Sequence, residues 1–469
     1  MAIRNLPFKN GFLRLLRGLR MTVFLHICAI AILGKAVYNS FKYMHKEIFM
    51  IQTIAILPGV TLRCYPDTRF KQGCLSLQFI RPMRREEAAL NALIPAILLR
   101  GTENYPDLRD ITLRLDDLYG ASVGALVRRI GDYQTTGLHC SFIEDKYALD
   151  GDAILAPMID FLGELLLQPA LEKGVFRADY TESEKKNLIA TIESQLNDKR
   201  AYASGQMLKR MCRADSFGIP RLGESEEVAA IDPATAYNHY QKILRDSPVE
   251  IFYVGSAAPE QVAQLLLPIF RSIERSYVNL PGQTPFRDGG SSEHTETMDI
   301  TQGKLSMGFT TPITIGDPRF AAMQVLNTVF GSGMVSKLFM QIRERLSLCY
   351  DIGSGYHGTK GILTVSAGID NDKDTLVRQE VLAQLDACTA GDITDEELEA
   401  ARQSILSGLR GIHDSPGAIE SYYSTAALSG LGMDPAAYMQ AVEQVTKEQV
   451  AQAAATVKLH TVYFLKGVQ

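Results

Sequence analysis

Arg343 and Tyr350 are the residues of this 469-residue chain whose types and spacing first suggest chemistry. A guanidinium presents five N–H donors in a rigid fork and stays charged at any working pH, and a phenol adds one more donor. Seven residues is close to two helical turns, so the pair can share one face of a helix. Just upstream, Gly331-Ser332-Gly333 offers backbone that a ligand can approach closely. Such a tripeptide can also cradle phosphate, but no Lys-Ser/Thr pair follows at the spacing of a nucleotide loop. Taken alone, the same residues read as a surface ion pair, a core tyrosine and a tight turn.

Metal and nucleophile chemistry is harder to find. The eight histidines are His26, His45, His139, His239, His294, His357, His413 and His460, and the closest two are nineteen residues apart. No helix can therefore present two imidazoles one turn apart, as a zinc helix requires. The seven cysteines contain no Cys-x-x-Cys pair, which argues against a zinc ribbon or a dithiol site. An odd, scattered count suits a reducing compartment, where most cysteines serve as small buried hydrophobes.

The elements around these residues repeat. From Ile97 the chain runs through Gly101-Thr102, an amphipathic stretch at Leu108, Ile111, Leu115 and Leu118, and then Tyr119-Gly120. From Val329 it runs through Gly331-Ser332-Gly333, then Leu338, Ile342, Leu346 and Tyr350. The ends repeat too: a helical stretch from Asp232-Pro233 leads to the apolar run Val249–Gly255, and one from Thr446 leads to Thr461–Gly467. A duplicated molecule follows. Residues 50–275 read as the first half, 276–296 as a Gly/Pro/Ser-rich linker, and 297–469 as the second half, with a strand over Glu296–Phe309. Ser122–Ile130 and Tyr133–Phe142 read as an antiparallel hairpin, and Phe176–Arg200 as one long charged helix. The fold class predicted is α+β, two homologous halves of mainly antiparallel sheets flanked by helices.

Composition is that of a globular protein, 46% hydrophobic and 22% charged. Residues 1–48 hold eight Lys/Arg against Glu47, so the formal charge of −5 leaves an acidic remainder at −12, a poor surface for nucleic acid. Residues 1–49 form a basic and apolar extension. Its run 21–34 is short for a membrane span, so the extension reads as sequence upstream of a misplaced start codon, with an uncleaved anchor or a signal peptide as alternatives. Membrane contact is expected only if 1–49 are expressed, and the expected location is cytoplasmic, with anchoring through 21–34 as the alternative.

Together, Arg100-Gly101-Thr102 after a helical run, the Gly331-Ser332-Gly333 turn followed by Ser336-x-Leu338-Phe339, and Arg343 seven residues before Tyr350 resemble the insulinase-like (pitrilysin) peptidase family. The resemblance covers roughly Met50 to Gly467 and implies a fold like that of the mitochondrial processing peptidase subunits, with their clamshell arrangement. Active members bind zinc through His-x-x-Glu-His just before the Gly-Thr, with a further glutamate downstream. In that register Ala92 and Ala96 stand at the histidines and Pro95 at the general base, so no metal site is expected in this chain. The nearest candidates for the downstream glutamate, Glu182 and Glu184, read as a solvated helix face. The resemblance further implies that Arg343 and Tyr350 reach toward the zinc centre, donating hydrogen bonds to substrate backbone and the developing oxyanion. Gly331, Ser332 and Gly333 would then border the substrate chamber. Leu98–Pro106 and Leu115–Ala121 are similar to the inactive members associated with 5-aminopentanol-type modification of elongation factor P.

The function expected is that of a non-catalytic subunit of a heterodimeric zinc peptidase. Its partner would be a homologous subunit carrying His-x-x-Glu-His and the zinc, and its substrate a peptide or unfolded protein. A non-enzymatic peptide-binding or scaffold protein, and a stand-alone metallopeptidase with unconventional ligands, are the alternatives.

Overall fold

In the computed structural model, residues 51–468 are described, so the 1–49 extension lies outside the described residues. The first sheet is built from β1 (Gln52–Leu57), β2 (Val60–Pro66), β3 (Gln72–Pro82), β4 (Ser122–Ile130) and β5 (Tyr133–Ile143). A short hairpin, β6 (Leu171–Glu172) and β7 (Val175–Phe176), stands apart, and β8 (Val249–Gly255) completes the sheet in the order β1-β2-β8-β3-β5-β4. The second sheet contains β9 (Ser292–Met298), β10 (Gly303–Thr310), β11 (Cys349–His357), β12 (Ile362–Ile369) and β13 (Lys458–Gly467), in the order β11-β12-β10-β13-β9.

Read from opposite ends, five strands of the first sheet repeat the order of the second, and β1 is an additional edge strand of the first. The parallel pair β2/β8 matches β9/β13, and the antiparallel ladder β8-β3-β5-β4 matches β13-β10-β12-β11. Each half buries its own apolar core, one built around Leu62, Leu77, Phe161 and Ile251, the other around Met307, Phe330, Val365 and Phe464. The α+β duplication read from the sequence is what the chain folds into.

Three segments depart from the sequence reading. The stretch 176–200 is not one helix: Ala178–Ser194 ends, and Asp198 caps a new helix, Lys199–Met211, by accepting the N–H groups of Arg200 and Ala201. The strand expected over Glu296–Phe309 is two strands, β9 and β10. The second sheet therefore starts at Ser292, inside the segment read as linker. Seven mostly polar residues can form β9 because it is an edge strand, with Glu296 accepting hydrogen bonds from the Tyr202 and Tyr463 hydroxyls. Finally, Tyr350 does not continue the helix of Arg343. The widened helix Leu338–Arg345 stops, Ser347 takes a left-handed φ of 52°, and Tyr350 belongs to β11.

The break at 195–198 lets the two halves exchange helices. Lys199–Met211, from the first half, packs on β10 and β13 of the second sheet, while Pro416–Ser429, from the second half, packs on β8 and β3 of the first. Gly308 permits the first contact, because a Cβ there would stand 2.5 Å from Met211 Sδ and 2.6 Å from Met207 Sδ. Glu420 anchors the second: buried on its helix, it accepts from Ser76 Oγ at 2.6 Å, Gln78 Nε2 at 3.0 Å and both Arg128 terminal nitrogens at 2.9 and 2.8 Å. A third tie is Lys360, whose enclosed Nζ meets Asp132 at 2.6 Å and Asp215 at 3.0 Å and donates to Thr284 O at 3.1 Å.

Candidate functional site

The helix that stands where the resemblance puts the zinc motif of active members is Arg85–Leu98. Ala92 and Pro95 are buried in it, and Ala96 is half-buried. None offers a lone pair to a cation, and Pro95 removes a backbone N–H from the helix interior. Around this helix several polar groups already have partners. Asn91 donates to Gln134 Oε1 at 2.8 Å, and its Oδ1 receives His239 Nε2 at 2.8 Å. Burial pushes the His239 imidazole down to about 4, so it stays neutral. Glu87 is held by Arg81 and Lys242; burial alone would raise its pKa, but these bonds outweigh that and bring it to about 2.

The downstream carboxylates are also engaged. Glu184 pairs with Arg100 at 3.3 Å, with its side chain only 11% exposed, and Glu182 pairs with Lys185 at 2.8 Å. Glu184 is thus not part of a solvated face, as the sequence suggested. It is turned onto the arginine that precedes Gly101. Among the described residues no group of three or more His, Cys, Asp or Glu is placed to hold a metal ion. The chain's own residues do not fit a zinc ion here.

Of the other candidate residues, Gly331, Ser332 and Gly333 line a cleft of about 450 Å³. Its floor is the face of the second sheet where Gly353 pairs with Ser366 and Gly355 pairs with Thr364. One wall is Gly331-Ser332-Gly333 with Met334 and Phe339, and the other is Arg200 at the start of the exchanged helix. Two Gly-Ser-Gly tripeptides therefore face each other. Gly331 must lack a side chain, because a Cβ there would stand 2.6 Å from Ser354 Oγ and 2.7 Å from Leu338 Cδ1.

Gly353 is different. A Cβ there would meet only Arg200 Nη2 and Gly331 O, both at 3.5 Å, which is ordinary contact. Glycine within a strand costs about 0.5–1 kcal/mol relative to alanine, so the open position is not explained by packing. It leaves room for a ligand.

Arg343 and Tyr350 lie on separate elements and do not line this cleft. The Arg343 guanidinium lies 4.6 Å from the centre of the Phe339 ring that walls the cleft, and 3.6 Å from Glu344. Tyr350 is 65% exposed on β11, and its hydroxyl donates to Asp370 at 3.3 Å. They do not share one helix face, and no direct contact joins them. Both side chains remain accessible. The rim beside them is apolar and open: Met334 is 83% exposed, with Val335, Met340 and Leu346 also exposed. Flexible methionines on a surface suit the binding of varied peptides. Cys349, next to Tyr350, is not a nucleophile, since burial pushes its thiol up to about 11.

Sequence reasoning missed Arg200, Asp351, Gly353 and Ser366. Arg200 Nε donates to Ser366 Oγ at 2.9 Å, and its Nη1 lies 2.8 Å from Asp351 Oδ2. The signal available was the second Gly-Ser-Gly inside a strand pattern. The first sheet's counterpart to β11 carries a loop of the chain along its edge. On β4, Arg221 donates to Val127 O at 2.8 Å, and Arg129 donates to Phe217 O and Ile219 O at 2.7 and 3.0 Å, drawing the chain's own loop onto that edge.

Comparison with known proteins agrees with this geometry. Residues 230–405 match the family model described as Peptidase M16 inactive domain. The probable inactive metalloprotease YmfF of Bacillus subtilis is 28% identical over 411 residues, spanning 88% of this chain and 96% of that protein. The crystal structure of a conserved protein from Enterococcus faecalis superposes with a TM-score of 0.82 at 27% identity, covering 89% of this chain and 99% of that one. A peptidase M16 inactive domain from Pseudomonas fluorescens gives a TM-score of 0.74 at 17% identity, covering 89% and 98%. Among the described residues no helix is long and apolar enough to cross a membrane. The chain thus shares the fold of these proteins and is similar to inactive members of the insulinase-like peptidase family.

Proposed function

We propose that this chain is the non-catalytic subunit of a heterodimeric zinc peptidase, holding peptide in the cleft and lending Arg343 and Tyr350 to a homologous partner that carries His-x-x-Glu-His and the zinc. One observation carries the reading: the metal face is filled by Ala92, Pro95 and Ala96, while the cleft beside Gly331, Ser332 and Gly333 stays open with both donors accessible. Arg343 and Tyr350 would hydrogen-bond substrate backbone and the oxyanion that forms at the partner's metal. Six cysteines among the described residues are free thiols, which supports a cytoplasmic setting. Modification of elongation factor P is the pathway suggested by the resemblance of Leu98–Pro106 and Leu115–Ala121.

The test is co-purification with a zinc-bearing homologue, followed by peptide turnover. Removing one oxyanion donor typically lowers kcat about 10²–10³-fold. Arg343→Ala or Tyr350→Phe in this chain, with the partner unaltered, is expected to lower turnover by about tenfold or more, since each is one of several donors. Unchanged turnover in both variants would instead make the chain a peptide-binding scaffold.

A further inference from the structure

The cleft has a charge that the role of Arg343 and Tyr350 does not use. Arg200 enters it from the first half, held by Ser366 through Nε and by Asp351 through Nη1. Its Nη2 lies over the floor, 3.5 Å from where a Cβ on Gly353 would be, and among the described residues no hydrogen-bond acceptor engages that nitrogen. The surrounding polar side chains are small hydroxyls, Ser332, Ser354, Thr364 and Ser366, beside the apolar Met334, Phe339 and Ile352, and among the described residues no second cation lines the cleft. A guanidinium with two edges fixed and one free is a pre-organised carboxylate receptor. The vacant Cβ position at Gly353 is where the incoming group would pass.

We propose that this cleft is an acidic-peptide subsite: Arg200 Nη2 takes a carboxylate of a peptide laid over Gly353, so that the chain selects acidic segments. The inference rests on the reading of the cleft as peptide-binding, but not on any contribution of Arg343 or Tyr350 to turnover. The carboxylate can come from a Glu side chain or from a peptide C-terminus, and the chemistry at Arg200 is the same for both.

Fluorescein-labelled Gly/Ser decapeptides with a central Glu or a central Gln, each with a free or amidated C-terminus, would be titrated against the full chain by fluorescence anisotropy at low salt. The side-chain source predicts that the Glu peptide binds about five- to tenfold tighter than Gln in both terminal forms. The C-terminal source predicts the same ratio between free and amidated forms. Arg200→Gln should abolish whichever preference exists, and Arg200→Lys should keep part of it. Gly353→Val, whose backbone tolerates a side chain, should weaken all four peptides by filling the floor. Equal binding of all four peptides, a preference that survives Arg200→Gln, or no binding at all would overturn the proposal. Loss of the turnover effect at Arg343 would not, because binding is read on the isolated chain.

Discussion

Replacing Lys360 by methionine tests whether the two halves are held by buried charge. Its ammonium is fully enclosed, 2.6 Å from Asp132 and 3.0 Å from Asp215. The Asp215 side chain is itself fully buried, and that of Asp132 is 14% exposed. Removing one member of a buried ion pair costs about 3–5 kcal/mol, because the remaining charge is stranded. Both carboxylates here keep neutral donors. Asp132 retains the Ser216 hydroxyl and Thr284 N–H at 2.7 Å; Asp215 retains the N–H groups of Phe217 at 2.8 Å and Arg287 at 2.9 Å. Those bonds place the expected loss at the lower end, about 3 kcal/mol. With no tryptophan in the chain, urea unfolding is best followed by far-UV circular dichroism.

Two further readings isolate the cause. Adding Asp132→Asn to Lys360→Met should restore about half the loss: the new amide nitrogen can donate to Ser216 Oγ, its oxygen can keep the Thr284 N–H, and one stranded charge is gone. Acidity should act in the same direction. Burial raises the Asp132 pKa, but hydrogen bonds from Lys360, Ser216 and Thr284 outweigh it and leave the carboxyl below its ordinary value. A folded pKa below the unfolded one, about 3.9, means that this group stabilises the fold above that pH and loses the contribution as pH falls through the folded value. Without Lys360 the largest of the lowering bonds is absent, so the carboxylate takes a proton sooner. The penalty of Lys360→Met should therefore shrink between pH 7 and pH 4. A variant within about 1 kcal/mol of the parent, or a penalty independent of pH, would refute the reasoning.

Two other outcomes follow from the same contacts. Gly308→Val should drive Met207 and Met211 off β10, costing about 1–3 kcal/mol and exposing the 195–198 connection to limited proteolysis; a cleavage pattern identical to the parent would count against the exchanged helix. His239, held by burial at about 4 against an ordinary value near 6.5, makes stability fall as pH drops from about 6.5 to 4, by at most about 1.4 kcal/mol per pH unit. His239→Gln should flatten that slope by up to one proton, read from urea midpoints across the window, and an unchanged slope would show that the group does not titrate there.

Local pattern made much of the fold legible. The alternation in Ser122–Ile130 and Tyr133–Ile143 gives β4 and β5, and the repeated helix-strand ending gives β8 and β13. The absence of metal ligands at Ala92, Pro95 and Ala96 is legible for a simpler reason, since side-chain chemistry does not depend on the fold. What could not be read depends on distance. Asp198 caps a helix only because the chain breaks there, and the helix it starts is stabilised by Gly308 and β13, more than ninety residues away. Arg200 meets Asp351 and Ser366 through tertiary contact alone. Tyr350 leaves its expected helix because the turn at Ser347 and the β11/β12 ladder outweigh a 3.6-residue pattern. The repeat itself misled on one point: Tyr119 lies in the turn before β4, whereas Tyr350 lies within β11, so the two tyrosines are not equivalent.

The exchange of helices bears on how the cleft can work. Arg200 belongs to the first half and Gly353 to the second, so their separation is fixed only if the halves do not move against each other. Helix Lys199–Met211 packed on β10 and β13, Glu420 held by Arg128, Ser76 and Gln78, and Lys360 held by Asp132, Asp215 and Thr284 all oppose that movement. A ligand arriving at such a cleft would meet walls already in place, and affinity would not be spent on assembling them. The same rigidity explains why the filled metal face need not affect the cleft. Ala92 and Pro95 lie in the core of the first half, while the floor of the cleft is β11 and β12 of the second. The duplicated fold thus keeps the Ala92/Pro95 face of one half separate from the surface formed largely by the other.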